Sequence, residues 1–296
     1  MPLGMTGEGI APKTPMPSPE NRAERLSTSP EGRGKKSAFS LVELSIVLVI
    51  LGLLTGGILA GQSLIRASEL RAVTSEYQRY TAATNTFRDK YFALPGDMNN
   101  ATRFWGRLTA NADCVTNSAA GVGLPGSCDG NGDGVIGYGA VANGSGELFQ
   151  VWRQLANAGL IEGNYTGLAG PTAPTAGYDA ALGSNVPKSK LSNGGWSIQN
   201  FANFGGDSYF YAGDFGNVLF FGGQNPGNSA FVPILKPEEA WNIDTKLDDG
   251  KPGTGRIIST QWNSICATST AFNDYTGSYN LSSASKSCAL MFTKAL

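Results

Sequence analysis

The sequence predicts an α+β fold: one long N-terminal helix packed on an antiparallel β-sheet, with loop-rich insertions. Three observations predict it. A stretch of 22 residues without a charge runs from Leu44 to Ile65, and a helix needs about 20 such residues to cross a bilayer. Beyond Arg66, the residues Leu70, Val73, Tyr77, Tyr80, Thr84, Phe87 and Tyr91 recur at alternating spacings of 3 and 4, which places them on one helical face. Further on, 40 glycines among 296 residues and runs of alternating aromatics favour short strands and many turns over a helical bundle.

Charge and composition narrow the function classes. The formal net charge is −1. Residues 1–38 hold six basic and four acidic residues, which leaves sixteen basic and nineteen acidic residues, or −3, for the remainder. Neither balance fits nucleic-acid binding as the main task. Histidine is absent, so the commonest general base and metal ligand is missing. No nucleophile motif or paired-carboxylate constellation stands out, and the sequence argues against an enzyme.

Residues 1–37 are rich in Pro, Ser, Gly and charge, with Pro12, Pro15, Pro17, Pro19 and Pro30. Such a segment cannot bury a core and reads as disordered. Arg33, Lys35 and Lys36 precede the apolar run, which keeps this side in the cytoplasm and the folded part outside. A secretory signal peptide fits poorly because the apolar run is too long. Glu43 sits at the head of that run. An acid inside a membrane costs roughly 2.5–3.5 kcal/mol, so its presence points to a function.

The residues Ala38-Phe39-Ser40-Leu41-Val42-Glu43 and the long apolar helix after them resemble the processing site of type IV prepilins and type II secretion pseudopilins. The resemblance implies a pilin-like fold and cleavage between Ala38 and Phe39 by a prepilin peptidase, with N-methylation of Phe39. Ala38 stands where the family usually has glycine. Glu43 would pair with the N-terminal amine of a neighbouring subunit during filament assembly. The implied partners are identical or related pilin subunits, an inner-membrane assembly platform and the peptidase. The implied location is the inner membrane with a periplasmic globular domain, and then a pilus or pseudopilus. The organisation expected is a leader at 1–38, a transmembrane and assembly helix at 39–65, and an extracytoplasmic domain at 66–296. The competing reading is a membrane-anchored adhesive module that never polymerises.

One helix from Leu41 to Phe92 would be about 75 Å long. Gly52, Gly56, Gly57 and Gly61 include two G-x-x-x-G spacings. They suit close helix packing, local unwinding, or simply an ordinary membrane helix. Leu94-Pro95-Gly96-Asp97 ends the helix, and Asp97 is placed to N-cap a short helix over Asn99–Trp105.

Asp129-Gly130-Asn131-Gly132-Asp133-Gly134-Val135-Ile136 matches the start of an EF-hand-like calcium loop. The side chains of Asp129, Asn131 and Asp133 and the carbonyl of Val135 would be ligands. The twelfth position is Ala140, not glutamate, and Glu147 is the next acid able to reach back. The readings are a structural Ca2+ site or a metal-free turn.

Four cysteines, Cys114, Cys128, Cys266 and Cys288, follow the apolar run. An even count in an exported domain favours disulfides. Local pairing, Cys114–Cys128 and Cys266–Cys288, is the connectivity expected among the three possible. Each bridge would contribute roughly 3 kcal/mol in the chain-entropy treatment. The segment between Cys266 and Cys288 resembles the disulfide-bounded C-terminal loop of type IV pilins.

Glu147–Leu155 has helical periodicity, with Trp152 in the core and Gly159 as the stop. Residues 162–195 read as a long surface loop. Trp196–Phe201 alternates as a strand, and Ser208–Tyr211 with Asn217–Phe221 reads as a hairpin around Gly213–Gly216. These aromatic strands are expected to pack on the long helix. Pro237 opens another short helix. The acidic run Ile243–Gly250 precedes a strand at Arg256–Ile258, and Asp244, Asp248 and Asp249 either bind a second cation or cap and turn the chain.

Overall fold

The structure is a computed structural model that describes residues 40–108, 126–137, 146–170, 179–260, 265–269 and 271–296. It contains helix α1 (Leu41–Tyr91), α2 (Ala101–Trp105), α3 (Glu147–Asn157), strands β1 (Gly194–Asn200) and β2 (Asn217–Gly223), helix α4 (Pro237–Leu247), and strands β3 (Ile257–Thr260) and β4 (Ala289–Phe292). The chain divides into two compact units at Leu54/Thr55. In the first unit, the described residues are the start of α1, and all of them are exposed.

The second unit is an α+β body. Its four strands form one antiparallel sheet in the order β1-β2-β4-β3. Side-chain alternation along the strands splits the apolar residues between two faces. Trp196, Ile198, Leu219, Phe221, Ile257, Leu290 and Phe292 join the main core. Val218, Phe220, Ile258 and Met291 join a second cluster with Phe201, Phe210, Tyr211 and Phe231.

The helix face read from the 3/4 spacing is the one that packs. Val73, Tyr80, Thr84 and Phe87 are buried, and Leu70, Tyr77 and Tyr91 lie against the core. Tyr77 stacks on Phe292 of β4 at 4.5 Å between centroids, and Tyr80 meets Trp196 of β1 edge-on at 5.7 Å. The aromatic strands are therefore only half committed to α1, because Phe220 and its neighbours pack on the opposite side of the sheet.

The predicted hairpin is corrected. Residues 208–211 form no strand, and β2 instead pairs with β1 and β4. The Gly213–Gly216 stretch folds back differently: Phe204 and Gly213 exchange backbone hydrogen bonds at 2.8 Å. The segment 162–195 is also more than a surface loop. Ala180, Val186 and Leu191 are buried, and the Asn185 carboxamide donates to the carbonyls of Leu168 and Asp179 and accepts from the Ala181 amide. Its polar residues serve as internal backbone partners, which a composition rich in Gly, Ser and Asn does not announce.

Two features tie α1 to the rest of the unit. Arg66, the first charge after the apolar run, makes a two-pronged ion pair with Glu239 of α4 at 2.6 and 2.7 Å. The planar guanidinium matches a carboxylate in this geometry. Burial alone would push the Glu239 carboxyl up, but its bonds to Arg66 and to the Lys236 amide hold it below its ordinary range. The second feature is Glu76, which is buried on the sheet side of α1. It accepts hydrogen bonds from Ser189 Oγ (2.6 Å), Lys190 N (2.9 Å) and Trp196 Nε1 (2.8 Å).

Cys266 and Cys288 form a disulfide 22 residues apart. Cys288 leads directly into β4, so the bridge anchors the intervening segment at the sheet.

Candidate functional site

The N-terminal segment is built as a capped apolar helix. Ser40 precedes α1, and Glu43 lies in its first turn. Glu43 Oε2 accepts the Ser40 amide at 2.9 Å, while Ser40 Oγ accepts the Val42 amide at 3.3 Å. Two otherwise orphaned helix-start donors are satisfied by a serine and a glutamate three apart, the reciprocal logic of a capping box. The carboxylate also lies at the positive end of the helix dipole.

Beyond this cap the helix is apolar on all sides. Its most hydrophobic window has a mean hydropathy of 2.4, and none of that window is buried. By length and composition α1 is able to cross a membrane. A Cβ added at Gly52, Gly56, Gly57 or Gly61 would meet nothing within 4 Å. Nothing in the described chain requires those glycines. Ala38 and Phe39 lie outside the described residues.

The predicted calcium loop folds against Asp97–Asn99, beyond the end of α1, and its donors do different work. Asp129 turns both carboxylate oxygens to Thr102, accepting its amide at 2.7 Å and its hydroxyl at 2.9 Å. It thereby caps α2 from across the chain. This corrects the role expected of Asp97, which does not cap α2. Asp97 is buried and accepts the amides of Gly132 (2.6 Å), Asp133 (3.2 Å) and Gly134 (2.8 Å).

Glu147, at the start of α3, accepts the amides of Asn131 (3.0 Å) and Gly137 (2.9 Å). Burial pushes the Glu147 carboxyl up, the two amides offset part of this, and nearby Asp97 and Asp133 add to it. Asn131 and Asp133 close local turns, with Asn131 Oδ1 accepting the Asp133 amide and Asp133 Oδ1 the Val135 amide. Two carboxylates thus collect five loop amides. The side chains expected as calcium ligands, Asp129, Asn131, Asp133 and Glu147, thus each accept hydrogen bonds from within the protein, and no role is derived for the ion.

Two glycines make the junction possible. Gly96 has φ +90°, and a Cβ there would meet the Glu147 carbonyl at 2.6 Å. A Cβ on Gly130 would meet Asp97 Cα at 2.5 Å. The polar face of α3 completes the brace. Gln154 accepts the Gly96 amide and donates to the Cys128 carbonyl, and Gln150 accepts from Ser127 and Cys128. Cys128 is itself disulfide-bonded; Cys114 lies outside the described residues.

Among the described residues, Asp244, Asp248 and Asp249 form the one group of three acids whose oxygens lie within 4.8 Å of one another. Each already has partners. Asp244 accepts from Tyr279 Oη and the Gly250 amide, Asp248 from the Arg256 and Ile257 amides, and Asp249 from the Lys251 amide and Thr254 Oγ1. Burial raises the Asp244 carboxyl to about 7, against the pull of Tyr279 and Gly250 and with help from Asp249 and Asp248. The cluster caps and turns the chain after α4.

Sequence reasoning missed Glu76, Asp97 as an amide acceptor, and Asp129 as a remote cap. For Glu76 a signal existed: it stands three residues after Val73 and four before Tyr80, on the packed face.

Residues 33–59 match the prokaryotic N-terminal methylation motif. This is the prepilin-type motif of type IV pilin-like and pseudopilin precursors, which are structural proteins and not enzymes. The match spans the basic cluster, Ala38, Phe39, Glu43 and most of the apolar run, and it fits membrane anchoring through α1. The chain matches no curated protein and no solved structure.

Proposed function

We propose that the chain is a structural subunit of a type IV pilus or a secretion pseudopilus, cut before Phe39 by a prepilin peptidase and assembled through its N-terminal helix. The observation that carries this reading is the methylation motif leading into a helix whose apolar first half is exposed among the described residues. An uncovered helix of this kind needs lipid or other helices around it, and a filament core provides the second after the membrane provides the first.

The steps follow from the residues. Cleavage removes Arg33, Lys35 and Lys36, which hold the leader on the cytoplasmic side. It leaves a cationic amine on Phe39, the group that N-methylation marks. Glu43 then exchanges the neutral Ser40 amide for the amine of a neighbouring subunit. A charged donor in a low-dielectric setting binds a carboxylate more strongly than a neutral amide does. The ion pair sets the axial register, and apolar packing of α1 supplies cohesion. The glycines with open surroundings at 52, 56, 57 and 61 allow neighbouring helices to approach closely. The second unit faces the periplasm and is carried on α1 through the Arg66–Glu239 pair and the Glu76 bonds.

Filaments sheared from cells, or pulled intact from their membranes, are expected to contain this chain by immunoblot and immunogold microscopy. A chain found only in the membrane fraction, in cells that make filaments, contradicts the reading.

A further inference from the structure

Phe92 is an anomalous side chain of the second unit. It follows the last residue of α1 and bonds its amide to the Arg88 carbonyl at 2.8 Å. At that position helices commonly place glycine, because the backbone turns left-handed. Here φ is +53° on a phenylalanine that is 94% exposed. A bulky residue in this conformation is strained, and its ring gains nothing from burial. Its aromatic neighbours behave differently: Tyr91, Phe104 and Trp105 pack on one another, and Phe87 packs on Tyr91 and Trp105. Phe92 makes no ring contact among the described residues. Strain on a residue that supplies no packing marks a candidate functional position.

The ring stands at the edge of a cavity of about 880 Å³ between the end of α1 and the Gly132–Gly134 loop. Asn85, Arg88, Asp89 and Asn99 line it. Among the described residues, none of these four side chains makes a hydrogen bond or ion pair. Together they offer donors and acceptors of both kinds, with one positive and one negative charge. Asp97 also borders the cavity, but its carboxylate is filled by the three loop amides. Gly132 and Gly134 also line it.

We infer that this cavity is a binding site for a neutral oligosaccharide. A sugar ring has one apolar C–H face and a rim of hydroxyls. It matches a single presented aromatic face surrounded by unpaired amide, guanidinium and carboxylate groups. A peptide anchor calls for a mainly apolar pocket, whereas here Ala93 and Leu94 share the lining with Asn85, Arg88, Asp89 and Asn99, a mixed surface that suits a ring with one apolar face and a polar rim. Because the site lies on the second unit and needs neither cleavage nor Glu43, it stands independently of the filament reading.

The test uses the full chain in a zwitterionic, non-glycosidic detergent. Chitotetraose, cellotetraose and maltotetraose are titrated by calorimetry. At least one is expected to bind, with the affinity reduced tenfold or more in Phe92→Gly and threefold or more in Asn85→Ala. The glycine variant relieves the strained backbone, so its melting temperature is expected to stay level or rise. Binding of none of the three sugars overturns the inference. So does wild-type affinity in Phe92→Gly, or a clear fall in its melting temperature, which would assign the ring to packing. Loss of filaments in Phe92→Gly without sugar binding by the wild type would assign the ring to a contact between copies, and equally overturns it.

Discussion

Replacing Glu43 by alanine is expected to leave the chain in the membrane with its second unit folded, and to reduce recoverable filaments at least tenfold. Insertion does not depend on Glu43, since removing an acid from an apolar run relieves roughly 2.5–3.5 kcal/mol of cost. Folding depends on it little, because among the described residues its carboxylate accepts only the exposed Ser40 amide, and losing such a cap costs about 1 kcal/mol locally. On the filament reading assembly is expected to depend on it fully, because no other charge lies between Leu44 and Ile65 to meet a neighbour's amine. Glu43→Gln refines the test. It retains an oxygen for the Ser40 amide and loses the charge, so filaments are expected to fail there too. Wild-type filament yield from the glutamine variant would show that capping, not charge, is what assembly uses.

The second large effect is on the attachment of the helix. Glu76→Ala is expected to destabilise the second unit by roughly 2–5 kcal/mol, since two buried neutral donors lose their acceptor at about 1–3 kcal/mol each. Its three donors sit on Ser189, Lys190 and Trp196, and both Ser189 and Trp196 are buried. Without the carboxylate, the indole N–H and the hydroxyl lose their partner where water has no ready access. Domains of this kind hold only about 5–15 kcal/mol in total, so a large fall in melting temperature and in cellular abundance is expected. Glu76→Gln, which retains one acceptor, is expected to fall between alanine and wild type. Thermal unfolding of the full chain in detergent measures all three proteins, and an alanine variant as stable as wild type would remove Glu76 as the fastener of α1.

Periodicity made the long helix legible almost to the residue: Leu41–Phe92 expected, Leu41–Tyr91 found. Its packed face was legible for the same reason, since a 3/4 spacing has one geometric meaning. Strand β4 was not, because Ala289-Leu290-Met291-Phe292 is four residues of continuous apolar character with no alternation to read. Its place between β2 and β3 is set by pairing with distant residues. The turn-loop junction failed differently. Asp97 looks like a helix cap to any reader of its immediate neighbours, yet its partners lie 35 to 37 residues on. Asp129 opens a calcium-like loop by its sequence, and its carboxylate also serves a helix 27 residues back. Local motifs identify which groups are available, and tertiary contacts decide which donor each one meets. The processing segment is the opposite case. It is a short linear pattern, matched over residues 33–59, so it is legible in sequence even though Ala38 and Phe39 lie outside the described residues.

The most direct measurement is the mass of the mature N-terminus. Mass spectrometry of the chain isolated from its native membrane or filament is expected to show a protein beginning at Phe39, heavier by one methyl group, with residues 1–38 gone. The same chain from cells lacking prepilin peptidase is expected to retain its leader. A chain from peptidase-containing cells that still begins upstream of Ala38, or that is cut elsewhere and leaves Glu43 without a neighbouring free amine to pair with, would contradict the account.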